Sequence, residues 1–195
     1  SLCLGACEIS VLEMVSAYTT FANEGMRRSP RFVTRIEDAE GNVLASFSPH
    51  IQHVISRDAA WKMVELMRGV MDGGTGSRMR FKYNIKSPMG GKTGTTNDNS
   101  DGWFVGYTPS LAFGAWVGGD ERDVHFASMN YGQGAASALP VVGIFLNKVY
   151  ADETLGYDRN EEFELPQEIA ATWLEAQEAA AEPDSIDIED IPMNP

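Results

Sequence analysis

The stretch Gly90–Thr96 holds the residues of this sequence best suited to chemistry. It reads Gly-Gly-Lys-Thr-Gly-Thr-Thr, so one ammonium group and three hydroxyls stand among three glycines. Because side chains alternate along a strand, Thr93 and Thr95 should present their hydroxyls on one side, while Lys92 can orient a carboxylate. The glycines leave room for an extended peptide to pair with the strand. The stretch therefore predicts a site for a peptide that ends in a carboxylate.

The surroundings of this stretch resemble class A (bifunctional) penicillin-binding proteins. Lys-Thr-Gly is one of the three signatures of penicillin-recognising enzymes, but a triplet alone is weak evidence. The resemblance is carried by 90–119, where Lys-Thr-Gly-Thr-Thr leads to an aspartate, Trp-Phe and then Val-Gly-Tyr-Thr-Pro. The segment 4–23 and the loop Gly74-Thr75-Gly76 also resemble the family, and the resemblance covers roughly Leu2 to Tyr150.

The resemblance implies a D,D-transpeptidase of peptidoglycan biosynthesis. In that family a serine attacks the D-alanyl-D-alanine end of a stem peptide, and the acyl group passes to an amine of a neighbouring strand. By position, Lys92, Thr93 and Gly94 would belong to the catalytic third signature. The Thr95 backbone N–H would form half of the oxyanion hole, and Thr96 would join Lys92, Thr93 and Thr95 in binding substrate. The implied ligands are stem peptides and β-lactams, with no cofactor and no metal.

The nucleophile of such an enzyme has no counterpart here. No serine is followed three residues later by a lysine, as the Ser-x-x-Lys signature requires. The family would place that serine, its lysine and the second-signature serine upstream of Ser1, together with a glycosyltransferase domain. We therefore expect the C-terminal part of a transpeptidase domain, inactive without its N-terminal half. The implied location is the periplasmic side of the inner membrane, with an N-terminal anchor that this sequence lacks.

Periodicity and turn signals predict the elements that must position the strand. The predicted helices are Ser10–Asn23, Arg57–Met71, Leu139–Tyr150 and Gln167–Ala181, and the predicted strands are Phe32–Ile36, Val43–Phe47, Gly91–Thr95, Gly102–Tyr107 and Leu111–Val117. The first two strands should form a hairpin. The last three should form a sheet with the signature strand at its edge and the helix from Leu139 against it. The expected fold class is α/β (α+β): a mixed, largely antiparallel sheet flanked by helices, part of the transpeptidase fold shared with β-lactamases.

The acidic charge is concentrated in the last 45 residues. The net charge is −13, and residues 151–195 hold 14 acidic residues and one basic residue, Arg159, so that 1–150 are neutral. This balance argues against nucleic acid and against a polybasic membrane contact. We expect 1–157 to belong to the transpeptidase domain. An acidic tail over 158–195 should be partly helical and then disordered in its last dozen or so residues.

Several other residue types have ordinary structural interpretations. The aromatic residues of the two strands after the signature should form core; they are Trp103, Phe104, Tyr107, Phe113 and Trp116. His50 and His53 lack a third metal ligand and should lie in a loop. His125 follows a charged turn and should be exposed, while Cys3 and Cys7 should be free thiols.

Two other functions stay open at this level. A β-lactamase-like hydrolase also uses Lys-Thr-Gly, although the Val-Gly-Tyr-Thr-Pro continuation fits the synthases better. A non-catalytic module could use the same edge strand and the acidic tail to bind cell-wall peptide or a partner.

Overall fold

The computed structural model describes residues 7–181, and its contacts divide the chain into two compact units at Glu164–Leu165. The helices are α1 (Val11–Ala22), α2 (Arg57–Asp72), α3 (Arg78–Phe81), α4 (Met129–Gly132), α5 (Ala138–Ala151) and α6 (Gln167–Ala181). The strands are β1 (Met26–Arg28), β2 (Arg35–Glu37), β3 (Val43–Ser46), β4 (Ile51–His53), β5 (Gly90–Thr95), β6 (Asp101–Tyr107) and β7 (Ala112–Gly118). Within the described range, none of the helices has the length and apolar character needed to cross a membrane. Cys3 and the predicted disordered end lie outside the described residues.

The four predicted helices are confirmed, with ends shifted by at most one residue. Ser10 forms the expected capping box, since its hydroxyl accepts from the Glu13 N–H and its own N–H donates to the Glu13 carboxylate. Gly25 follows α1 with φ +87°, and a Cβ there would lie 2.0 Å from the Ile55 carbonyl oxygen. Only glycine fits this turn, so the chain leaves α1 at a fixed angle.

The predicted hairpin is confirmed as β2 and β3, but its first strand is shorter than expected. The pairing begins at Arg35, which stands opposite Ser46. Before Arg35, one further hydrogen bond joins the two segments, from the Phe47 N–H to the Thr34 carbonyl. Phe32 lies outside this ladder and is 83% exposed. The strand prediction at Phe32 and Val33 was therefore wrong, because alternation alone cannot show where a partner strand ends.

A second two-stranded sheet was not predicted. β1 pairs antiparallel with β4, so that Met26 stands opposite His53. The loop prediction was wrong for His53, which lies in β4, while His50 precedes the strand and His125 is exposed as expected. Strands of three residues are too short to show period-two alternation, and their partners are distant in the sequence.

The central sheet contains the signature strand and has the order β5-β6-β7, with both pairs antiparallel. The three predicted strands are confirmed to within a residue at each end. The Thr108 N–H donates to the Leu111 carbonyl at 2.8 Å and closes the short link between β6 and β7. Among the described strands only β6 pairs with β5, which leaves β5 at the edge of the sheet.

The two faces of this sheet pack against different helices. One face, here called the α1 face, carries Tyr107, whose ring lies 6.2 Å from Tyr18 and 6.1 Å from Phe21 of α1. The opposite face, the α5 face, packs on α5 as expected and closes the main core. The buried members of that core are Met71, Met79, Ile85, Met89, Phe104, Phe113, Ala138, Leu139, Val142 and Leu146.

The aromatic residues of β6 and β7 are not all core. Phe104, Tyr107 and Phe113 are buried as predicted, but Trp103 is only half-buried and Trp116 is 39% exposed. These two tryptophans pair across the strands on the α1 face, toward the end of the sheet away from Tyr107. Because α1 covers the Tyr107 end, the core prediction was wrong for Trp116.

Candidate active site

The strand register places Lys92 on the α1 face. Lys92 stands opposite Val105, and Val105 in turn stands opposite Gly114. A Cβ on Gly114 would lie 2.8 Å from Val15 of α1, which fixes the face of all three positions. The Lys92 side chain is exposed, and its Nζ donates to the Thr93 carbonyl at 2.8 Å.

Thr93 and Thr95 lie on the other side of β5, as their alternation predicts. Thr93 is opposite Phe104 of the main core, and Thr95 is opposite Gly102. Each hydroxyl has a protein partner: Thr93 Oγ1 lies 2.7 Å from Thr75 Oγ1, and Thr95 Oγ1 accepts from the Gly134 N–H at 3.0 Å. The ammonium and the two hydroxyls of the signature are thus presented on opposite faces of one strand.

The partner of Thr95 comes from the loop that joins β7 to α5. This loop approaches the sheet so closely that a Cβ on Gly134 would lie 2.2 Å from the Trp103 carbonyl oxygen and 2.4 Å from that of Gly94. Both atoms belong to backbone and cannot move aside. Because residue 134 is a glycine, the loop can come close enough for the Gly134 N–H to reach the Thr95 hydroxyl.

Thr96 has its hydroxyl engaged in the turn between β5 and β6. Its Oγ1 accepts from the Asp101 N–H at 2.9 Å and lies 3.0 Å from Asp101 Oδ2 and 2.8 Å from Ser100 Oγ. These bonds hold the turn that follows the signature. In this arrangement the Thr96 hydroxyl stabilises the turn, and its contact with substrate stays a prediction.

Asp101, the first residue of β6, accepts several of the hydrogen bonds that hold that turn. Burial alone would raise its pKa, but hydrogen bonds outweigh burial and the pKa is lowered from its ordinary value. The donors, in decreasing order of effect, are Trp116, Thr96 and Ser100, and the charge of Arg122 adds a smaller contribution. Trp116 Nε1 reaches Asp101 Oδ1 at 2.9 Å, which ties β7 to the turn.

The turn itself contains two residues in the left-handed region. Asp98 has φ 60° and Asn99 has φ 59°, and neither is glycine. Asn99 Nδ2 donates to the Phe126 carbonyl at 3.4 Å, so the turn also contacts the loop that carries Gly134. Two of the four described non-glycine residues with positive φ therefore lie beside the signature strand.

Sequence reasoning missed three features near the site. The partners Thr75 and Gly134 lie 18 residues before Thr93 and 39 residues after Thr95, and no local pattern links them. A Ser-x-Asn triplet, the form of the second signature, does occur at 128–130, although the second-signature serine was expected upstream of the chain. This triplet follows the signature strand in sequence, and its loop reaches the site from the α5 face, opposite Lys92.

Other possible sites do not coincide with these residues. Among the side chains that the structure describes, no group of three or more His, Cys, Asp or Glu residues could hold a metal ion. A cavity of about 350 Å³ lies between the segment 84–88, the C-terminal half of α5 and the segment 159–162, and none of the predicted site residues line it.

Comparison with known proteins supports the family. The family described as "Penicillin binding protein transpeptidase domain" matches residues 1–138. Penicillin-binding protein 1A of Aquifex aeolicus is 36% identical over 168 residues, 86% of this chain, and penicillin-binding protein 2a of Streptococcus pneumoniae is 38% identical over 137 residues, 66% of this chain. The chain spans 22% and 18% of the length of these two curated relatives.

Solved structures show the same fold. Penicillin-binding protein 1A from Haemophilus influenzae matches with a TM-score of 0.72 at 24% identity, over 83% of this chain and 28% of that one. The penicillin-binding protein PonA1 from Mycobacterium tuberculosis matches with a TM-score of 0.61 at 29% identity, over 80% and 41%. The expected α/β architecture, an antiparallel sheet between helices, is confirmed as part of a transpeptidase fold.

Proposed function

This chain belongs to the penicillin-binding protein transpeptidase domain family, and from that premise we propose that it supplies the substrate-binding strand of a peptidoglycan D,D-transpeptidase. The observation that carries the proposal is the edge strand β5, which pairs only with β6 among the described strands and bears the Lys-Thr-Gly signature. An extended stem peptide would add alongside β5. The hydroxyls of Thr93 and Thr95 would then bind its terminal carboxylate.

The chemistry would be acyl transfer to and from a serine on another segment. In the proposed reaction the serine attacks the penultimate carbonyl of the stem peptide and D-alanine leaves. An amine of a second peptide then takes the acyl group. The Thr95 backbone N–H would stabilise the oxyanion, while Lys92 and Gly94 complete the signature.

The exposed part of the α1 face is a surface on which the segment that carries the nucleophilic serine could pack. Lys92 is exposed on this face, and so is Trp116, at 39%. We place the segment that carries Ser-x-x-Lys over this region, where its serine could reach the Lys92 side of β5. Alone, the chain would then neither cross-link peptides nor react with penicillin.

The wider context follows from the class A relatives. The whole protein would carry a glycosyltransferase domain and act on the periplasmic side of the bacterial inner membrane, held there by an N-terminal anchor. β-Lactams would bind at the same strand as stem peptides. The hydrolase reading is not favoured, because the relatives compared above are penicillin-binding proteins.

Intact mass spectrometry after incubation with benzylpenicillin tests this proposal. Three samples are compared: this chain, a longer chain extended upstream through Ser-x-x-Lys, and the longer chain with that serine changed to alanine. We expect an adduct of one penicillin on the longer chain alone. An adduct on the short chain would mean that one of its own serines is nucleophilic, and no adduct on any sample would refute the proposal. A rapidly lost adduct would instead indicate a hydrolase.

A further inference from the structure

The loop after α2 carries a hydroxyl that faces the signature strand, and we propose that Thr75 is a positioning residue for substrate binding. Its hydroxyl would donate to Thr93 Oγ1 and so turn the Thr93 hydrogen toward the carboxylate of a ligand. This inference rests on the proposed function. The observation that carries it is the 2.7 Å distance between the two hydroxyl oxygens, which come from different elements.

The position of Thr75 is fixed by the glycines on either side of it. A Cβ on Gly74 would lie 2.9 Å from the Val70 carbonyl oxygen, and one on Gly76 would lie 2.5 Å from the Met71 sulfur. The Gly76 N–H also donates to the Val70 carbonyl at 3.0 Å. Thr75 therefore stands on a loop folded tightly against the end of α2, and its hydroxyl is held beside β5 by backbone.

A count of hydrogens gives the direction of the bond. Two hydroxyls that share one hydrogen bond have one hydrogen left between them. A carboxylate can only accept, so Thr93 must donate its hydrogen to the ligand. Thr75 must then be the donor to Thr93, which orders the pair as Thr75 to Thr93 to carboxylate.

The second hydroxyl of the strand has a matching arrangement. The Gly134 N–H donates to Thr95 Oγ1 and cannot accept, so the Thr95 hydrogen is free to donate elsewhere. Thr93 and Thr95 lie on the same side of β5, each with a donor behind its oxygen. The structure thus provides two hydroxyl hydrogens for one carboxylate, and bonds to a charged acceptor are about twice as strong as neutral ones.

The test compares a ligand that has the carboxylate with one that lacks the charge. Acylation rates are measured for benzylpenicillin and its methyl ester on the longer chain, as wild type, Thr75→Val and Thr75→Ser. We expect the wild type to prefer the carboxylate, and Thr75→Val to lose about threefold to tenfold of that preference, as for one lost hydrogen bond. Thr75→Ser keeps the hydroxyl and should keep the preference within about twofold.

Two further variants separate positioning from folding. Thr154→Val removes another hydroxyl hydrogen bond, to Asp152 beyond the C-terminal end of α5, and should leave the preference unchanged. In a Thr93→Val background, Thr75→Val should have no further effect on the preference, because the chain of donors is already broken.

The possible results distinguish a failure of the proposed Thr75 role from a failure of the proposed transpeptidase function. Equal loss of both rates in Thr75→Val, with the preference intact, would overturn the role of Thr75, as would a preference lost in Thr75→Ser. A wild type that reacts with penicillin but does not prefer the carboxylate would overturn carboxylate binding by the Thr93 and Thr95 hydroxyls, while leaving the transpeptidase proposal standing. A longer chain that does not react with penicillin would refute the proposed function and the inference with it.

Discussion

Replacing Gly134 by alanine tests whether the close approach of the β7–α5 loop is structurally required. The added methyl group would lie 2.2 Å from the Trp103 carbonyl oxygen and 2.4 Å from that of Gly94, both far inside van der Waals contact. Since neither backbone atom belongs to a flexible side chain, the loop itself must move away from the sheet. That movement also lengthens the bond from the Gly134 N–H to Thr95 Oγ1, now 3.0 Å.

The expected cost has two parts. Overpacking at a rigid contact costs about 1–3 kcal/mol, and the loss of one hydrogen bond costs about 1 kcal/mol. Gly134→Ala should therefore lower the free energy of unfolding by about 2–4 kcal/mol. For a chain of this size each kcal/mol corresponds to about 2–4 °C in Tm, so the expected decrease is about 4–16 °C.

Thermal unfolding followed by circular dichroism measures this change, with Gly69→Ala as the matched control. Gly69 lies inside α2, and a Cβ there meets nothing within 4 Å beyond its own helix. The control should gain about 0.5–1 kcal/mol from helix propensity. If Gly134→Ala melts within about 1 °C of wild type while the control behaves as expected, the loop is not held as described and the reasoning fails.

Two further predictions concern the turn between β5 and β6. Because the pKa of Asp101 is lower in the fold than in the unfolded chain, its contribution to stability is present above the unfolded pKa of about 3.9 and is lost as pH falls through the folded pKa. Asp101→Asn should flatten this acid dependence in urea unfolding between pH 3 and pH 7, and an unchanged dependence would contradict it. Asp98 is exposed and has φ 60°. Asp98→Val should therefore lower the free energy of unfolding by about 1–2 kcal/mol, and Asp98→Gly should change it very little. Equal urea midpoints for the two variants would show that the left-handed backbone is not retained.

The sequence predicts most of the fold because the long elements have strong local signals. Ser10 and Ser56 both cap their helices as expected. The short link Thr108-Pro109-Ser110 indicates that β6 and β7 are antiparallel neighbours. In each case the physical cause acts within a few residues, through a capping hydrogen bond, a periodic apolar face or a turn.

The parts that could not be predicted depend on distant partners. Pairing of β1 with β4 has no local signal in strands of three residues. The exposure of Trp116 depends on which helix covers its face, and alternation shows only that a residue belongs to one face or the other. In the site, Thr93 and Thr95 were found from the motif, whereas Thr75 and Gly134 required the folded chain.

The two faces of β5 differ in how far this chain completes them. On the α5 face, the hydroxyls of Thr93 and Thr95 already have hydrogen-bond partners, Thr75 and Gly134, from within the same unit. On the α1 face, the Lys92 ammonium donates to the Thr93 carbonyl, and Trp116, which lies on the same face two strands away, is 39% exposed. If the Thr93 and Thr95 hydroxyls on the α5 face are enough to bind a carboxylate, then this chain binds the carboxylate by itself. The acyl transfer then requires the segment that packs over Lys92. Recognition and reaction should therefore be separable by experiment: this chain alone should bind a stem-peptide carboxylate weakly without reacting.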